Sequence, residues 1–249
     1  MKYLTFDIYG DYAHFKKFYT TSSPLTFSFP PPPTIGGMIA AICGIDKKNY
    51  LDILSFDRCQ YAIRILSPIQ KVRMGLNHIN TKGNAWQLIN KKNHEPRTQI
   101  RTEFLKSPRY RIYFSHDENE IYQKVCSHIR NHWTYYTFSL GLSELIGDYS
   151  WVGEFEGKEI SFEEHFSIDS VIPITQINLS EMKIEEGKRY FRERIPVNMD
   201  NNRIVKSYEE VLFESNGNNL TFKKGNCIEL ENGEKIVTFS TLFSSRETS

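Results

Sequence analysis

Apolar and polar residues alternate from the start of the chain. In Lys2 to Tyr9, Leu4, Phe6 and Ile8 fall on one side and Tyr3, Thr5 and Asp7 on the other. That period predicts a strand whose first set faces a core. At Ile35, Met38, Ile39 and Ile42 the spacing becomes helical, with Thr34 placed as N-cap and Gly44 as a left-handed C-terminal cap. Asn49 to Phe56 predicts a short helical turn, and Arg58 to Leu66 a second strand ended by Ser67-Pro68. Arg109 to Phe114 alternates strictly, Tyr110, Ile112 and Phe114 opposing Arg109, Arg111 and Tyr113. Asp117 is positioned to cap a helix running to about Trp133, with Ile121, Val125 and Ile129 as its buried stripe. Tyr135 to Leu140 predicts a fourth strand. Strand–helix–strand–strand–helix–strand is an α+β, split βαβ order.

Two regions depart from this plan. Val72 to Ser107 has little periodicity, contains Gly75, Gly83 and Pro96, and is far longer than an ordinary hairpin loop. It predicts a functional or mobile insertion. After Ser150 the pattern is mostly strands: Ser170 to Ile177, Lys188 to Val197, Ile204 to Glu214, Asn219 to Lys223, Cys227 to Glu231 and Lys235 to Phe243. Gly217, Gly225 and Gly233 fall in the turns between them. The expected organisation is a palm over 1–149, with an insertion at about 72–107, and an antiparallel β-rich extension over 150–249.

Composition adds little until it is mapped. The chain of 249 residues is 39% hydrophobic and 24% charged, a globular balance. Net charge is only +1, but from Lys71 to Arg111 ten bases face two acids, a local +8. From Glu144 to Glu186 eleven acids face two bases, a local −9. A basic region suits a polyanion; the acidic one reads as a solvated face. Cys43, Cys59, Cys126 and Cys227 form no CxxC pair, and Cys126, His128 and His132 on one predicted helix lack further ligands, so no metal and no cofactor is expected. No apolar run is long enough to span a membrane, and the expected location is the cytoplasm.

The stretch from Tyr12 to Gly44 concentrates the candidate chemistry. His14, Phe15, Lys16, Lys17, Phe18 and Tyr19 interleave bases and rings, and Thr20, Thr21, Ser22 and Ser23 follow with hydroxyls. Those are groups for phosphates, base stacking and sugars in single-stranded RNA binding. Pro30 to Pro33 stiffen the entry to the helix. Gly36 and Gly37 then either pack a helix tightly against a sheet or leave backbone N–H groups open to a phosphate.

The run GDYAHFKKFYTTSSPLTFSFPPPPTIGGMIAAICG resembles the N-terminal signature of the CRISPR-associated Cas-five family, in its I-B (Hmari) flavour. FSLGLSELIGDY, Phe138 to Tyr149, resembles the glycine-containing segment after the family's second helix. The resemblance implies a ferredoxin-like, RNA-recognition-motif-like (RAMP) palm that holds the 5′ handle of crRNA in a Cascade complex. It implies as partners crRNA, the repeated backbone (Cas-seven) subunit, the large (Cas-eight type) subunit and target DNA. Carried onto this chain, the handle would meet His14, Phe15, Lys16, Lys17, Tyr19, Thr21, Ser22, Thr34, Gly36, Gly37, Gly141 and Ser143. The basic insertion, through Lys71, Arg73, Lys91, Lys92, Arg97 and Arg101, would act as a thumb onto the guide.

No Walker loop, Rossmann fingerprint, HExxH or serine elbow is present. Family members of type I-C cut precursor RNA with a tyrosine, lysine and histidine set. Lys92 with His94, or Tyr12 with His14 and Lys16, could supply such groups, but an adjacent Lys-His pair is lacking. The expectation is binding without catalysis. The alternatives are a metal-independent processing endoribonuclease and an RNA-recognition domain outside CRISPR.

Overall fold

A computed structural model describes residues 1–17, 23–80 and 96–239. In chain order the first elements are β1 (Lys2–Gly10), β2 (Tyr12–Ala13), α1 (Pro32–Cys43), α2 (Tyr50–Ile53), β3 (Cys59–Ile65), β4 (Lys71–Ile79), β5 (Arg97–Lys106), β6 (Arg109–His116) and α3 (Asn119–Arg130). There follow β7 (Gly147–Phe162), β8 (Phe166–Ile168), β9 (Ile172–Pro173), β10 (Met182–Lys183), β11 (Tyr190–Met199), β12 (Val205–Glu214), β13 (Leu220–Phe222), β14 (Gly225–Leu230) and β15 (Lys235–Ile236).

The main sheet runs β15-β14-β7-β1-β6-β3, antiparallel throughout. Leu4, Phe6 and Ile8 face the core with Ile35, Ile39 and Ile42 of α1 and Val125 and Ile129 of α3. Thus the period-2 set of β1 and the period-3.6 sets of two helices cover one sheet face. The opposite face is also covered. β7 continues past β1, and its second half carries β14 and β15 back over the sheet, where Ile228, Leu230 and Ile236 meet Tyr3, Ala62 and Tyr113. Gly157 makes this possible, since a Cβ there would lie 2.6 Å from the Tyr3 ring and 2.8 Å from Ile228. Asp7, buried on that face, accepts from Arg111 at 2.8 Å and Arg109 at 3.1 Å. Glu234 at the β14–β15 turn accepts from Arg64 at 2.7 Å and Arg111 at 2.8 Å.

Several expectations need correction. Helix α1 starts at Pro32, with Pro31 rather than Thr34 at the N-cap. Fixed proline φ suits the first helical turn, where a missing N–H costs nothing. Helix α3 has Glu118 at its N-cap, while Asp117 turns away to pair with Arg58 at 3.2 Å. Tyr135 to Leu140 is not a strand; its backbone groups go to α1, Leu145 and the N-terminal arm. The fourth strand is instead β7, which pairs with β1 on the side away from β6 and which the pattern hid behind Gly153, Gly157 and alternating acids. Ser170 to Ile177 holds only the two-residue β9 and a 3₁₀ turn, Ile174–Gln176.

The basic insertion is regular where described. β4 and β5 pair over their length as a hairpin, and β2 adds to its base. Val72, Met74 and Leu76 share one face with Phe104 and Ile100, while Arg73, Asn77, Arg101 and Arg97 share the other. The boundary expected after Tyr149 lies inside β7, and the main core takes Val171, Ile195, Val211 and Phe213 from beyond it.

Candidate nucleic-acid interface

The N-terminal arm leaves β2 and folds on itself. Phe27 N–H donates to the Phe15 carbonyl at 2.8 Å and Lys17 N–H to that of Leu25 at 2.9 Å. Thr26 Oγ1 accepts from Phe15 N–H at 2.9 Å. Tyr110 donates to the Ser28 carbonyl at 2.7 Å, anchoring the return strand to the palm. The arm next meets the segment after α3, where His14 N–H donates to the Leu140 carbonyl at 3.0 Å. Gly141 has φ 105°, and a Cβ built there would collide with the His14 carbonyl oxygen. Only glycine tolerates both the backbone angle and the approach.

Where the arm, α1 and the Gly141 segment converge, they leave a cleft of about 380 Å³. It gathers His14, Phe15, Lys16, Thr34, Gly37 and Gly141 from the residues expected to bind RNA. Four polar residues that sequence reasoning missed join them: Tyr50, Thr137, Ser139 and Arg203. Arg203 sits in the β11–β12 turn with φ 62°, and nothing local in DNNR announces a role 189 positions from His14. Among the described residues the cleft wall offers two full cations, Lys16 and Arg203, four hydroxyls and no carboxylate. His14 is buried and hydrogen-bonded through Nδ1 to the Glu103 carbonyl at 2.7 Å. Burial pushes its pKa below the ordinary value, outweighing that carbonyl, so the imidazole is neutral at pH 7.

Several expected contacts, some of them in the cleft wall, are also engaged within the fold. Phe15 is 2% exposed and packs on Tyr110, so it is a core ring rather than a stacking surface. Lys17 forms an ion pair with Glu193 and lies 5.4 Å from the centre of the Phe27 ring. Lys71 donates to the Thr26 carbonyl at 3.0 Å, and burial lowers its pKa. Gly36 packs against Tyr61 and Leu54, and Gly37 against Tyr50. Neither glycine presents an open N–H, because both lie beyond the first turn of α1. Pro31, Pro32 and Pro33 have no N–H, and Thr34 N–H is held by the Pro31 carbonyl at 2.8 Å. Ser143 is exposed beside the cleft and donates to Glu144 at 3.2 Å.

Arg73 lies 3.6 Å from Glu103 at the hairpin base. Arg101 and Arg97 stand two and six residues before Glu103 on β5, roughly 7 and 20 Å from it at strand rise. Both are exposed, and neither lines the cleft. Tyr19, Thr21, Ser22, Lys91, Lys92 and His94 lie outside the described residues. Among the described residues no cluster of His, Cys, Asp or Glu is arranged to hold a metal ion, and no helix is long and apolar enough to cross a membrane.

The family model described as "CRISPR-associated protein (Cas_Cas5)" matches residues 3–186. A CRISPR protein from Archaeoglobus fulgidus shares the fold at TM-score 0.56 and 14% identity, over 95% of this chain and 98% of that one. A chain described as "CRISPR RNA-guided surveillance complex" shares it at TM-score 0.50 and 11% identity, over 86% and 90%. No curated protein sequence matches the chain. With nearly three quarters of its length matched by that family model, from β1 through β10, the chain belongs to the CRISPR-associated Cas-five family.

Proposed function

We propose that this chain is a non-catalytic subunit of a type I-B crRNA-guided surveillance complex in the cytoplasm, holding the 5′ handle of the guide in the His14–Arg203 cleft. The observation that carries the reading is the cleft wall itself, with Lys16, Arg203 and hydroxyls but no carboxylate. Such a wall accepts phosphates and ribose hydroxyls and repels neither. Family membership and a fold relative described as a surveillance complex support the assignment to such an assembly. The element order and the strand order β7-β1-β6-β3 support a ferredoxin-like palm. The β4–β5 hairpin, basic on one face and apolar on the other, is the thumb that reaches the guide and seats the first backbone subunit. The large subunit and target DNA complete the partners.

The test is handle RNA binding by the purified protein across a salt series. Lys16→Ala and Arg203→Ala should each weaken binding and reduce the log–log salt slope by about one. Unchanged affinity and slope in both folded variants would remove the cleft from the interface.

One observation favours a second reading. His14, neutral and in the same cleft as Tyr50 and Lys16, has the chemistry of a metal-free ribonuclease site. A fixed-site cut of repeat RNA in chelator, lost in His14→Ala, would establish processing in place of binding alone.

A further inference from the structure

Residues 131–137, between α3 and the cleft, expose three large rings. Trp133 is 55% exposed, Tyr135 62% and Tyr136 53%. Rings exposed to that degree add little to the core, yet their backbone is tied down. Tyr135 N–H donates to the Ile42 carbonyl and Tyr136 N–H to that of Ala41, each at 3.0 Å. Trp133 N–H donates to the His128 carbonyl at 2.9 Å, and the Thr134 hydroxyl to the Tyr136 carbonyl at 2.6 Å. His128 Nδ1 donates to the Ile42 carbonyl at 2.9 Å, and its ring lies 4.4 Å from that of Trp133. The loop thus occupies the end carbonyls of α1, which has no basic residue in its last turn. Gly44 completes the fixture. Its φ is 68°, and a Cβ there would stand 2.7 Å from Tyr135 Cγ. Tyr135 and Tyr136 meet edge to face at 4.8 Å.

The loop is continuous with the cleft. Ala41, whose carbonyl holds Tyr136, lines it, and so does Thr137, the next residue along. Rings fixed in advance and open to solvent at the mouth of a cationic cleft lose little conformational freedom when a flat ligand lands on them. A nucleobase is such a ligand, and its stacking is tolerant of sequence.

We propose that Tyr135, Tyr136 and Trp133 form a platform on which unpaired bases stack as the RNA leaves the cleft. This rests on the RNA reading of the cleft. The rings supply base contacts while Lys16 and Arg203 supply phosphate contacts, so the two sets separate in their salt dependence.

The experiment uses the full chain and single-stranded handle RNA carrying 2-aminopurine at successive positions. Tyr136→Leu, Tyr135→Leu and Trp133→Leu should each weaken binding about five- to 150-fold with an unchanged salt slope. They should also restore 2-aminopurine fluorescence that the wild-type protein quenches at one or two positions. Tyr136→Phe should retain both affinity and quenching. Tyr136→Leu guards against misfolding at Tyr135, whose ring rests on Gly44; melting curves matching wild type certify each variant. Failure of the wild-type protein to bind RNA would overturn both readings. Normal affinity and quenching in the folded leucine variants, with Lys16→Ala still impaired, would overturn the platform alone. Normal RNA binding with lost assembly onto other subunits would make the patch a protein interface and equally refute it.

Discussion

Replacing Gly141 by alanine tests how the cleft is built. The new Cβ would occupy the space of the His14 carbonyl oxygen, and the backbone would keep φ near 105°. The angle costs on the order of 1–3 kcal/mol for a non-glycine residue. Relief of the collision requires the 138–146 segment to withdraw from the arm. That breaks the His14–Leu140 hydrogen bond, a further loss of about 1 kcal/mol. The total, about 2–4 kcal/mol, corresponds to a fall in Tm of roughly 4–16 °C for a chain of this size. Gly233→Ala is the control. Its φ is 83°, and nothing lies within 4 Å of an added Cβ, so it isolates the angular cost. Urea titration should show Gly141→Ala less stable than Gly233→Ala by at least about 1 kcal/mol, and handle RNA binding should fall only in the former. Equal stability and equal binding in the two variants would refute the claim that contact between Gly141 and His14 shapes the cleft.

The remaining predictions concern residues engaged within the fold. Phe15→Ala should cost about 3–5 kcal/mol of stability, measured by denaturant titration, because the ring fills the main core. Lys17→Ala should leave Glu193 without its ion-pair partner and lower stability by about 1–3 kcal/mol, while the RNA salt slope stays unchanged. At Glu234, burial pushes the carboxyl up, but Asn232, Arg111 and Arg64 outweigh it and hold the pKa below the ordinary 4.5. Its stabilisation is therefore present above pH 4.5 and lost as pH falls through the depressed folded-state value. Glu234→Gln should cost about 1–2 kcal/mol at pH 7, and the gap from wild type should close in acid, as followed by urea titrations from pH 7 to pH 3.

The sequence alone determined those elements whose evidence is local. Alternation in β1 and β6, the β-forming residues of β3 and the 3.6-residue spacing in α1 and α3 each act within one segment, and each element formed where its local signal stood. Gly44 at the end of α1 and the glycine turns at Gly217 and Gly233 were legible for the same reason, since a left-handed φ is a property of a single residue. The placement of candidate RNA contacts in the arm and near Gly141 also came from sequence, through residue type and family resemblance. Tertiary structure decided which of them share a wall. Lys16 and Lys17 are adjacent and chemically alike, yet one lines the cleft and the other is paired with Glu193, far along the chain in β11. Phe15 read as a stacking ring because burial is not a property of a residue type; the return of Phe27 alongside it made it core. The long β7 was hidden because Gly157, a strand breaker by propensity, is required by a Tyr3 ring more than 150 residues away. The β4–β5 hairpin was hidden because its partners are separated by the long 80–96 connection, and pairing across such a gap leaves no signal in a short window. Arg203, Tyr50 and Ser139 entered the site only when the chain closed on itself, because a cleft is defined by neighbours in space, and sequence period records neighbours along one element.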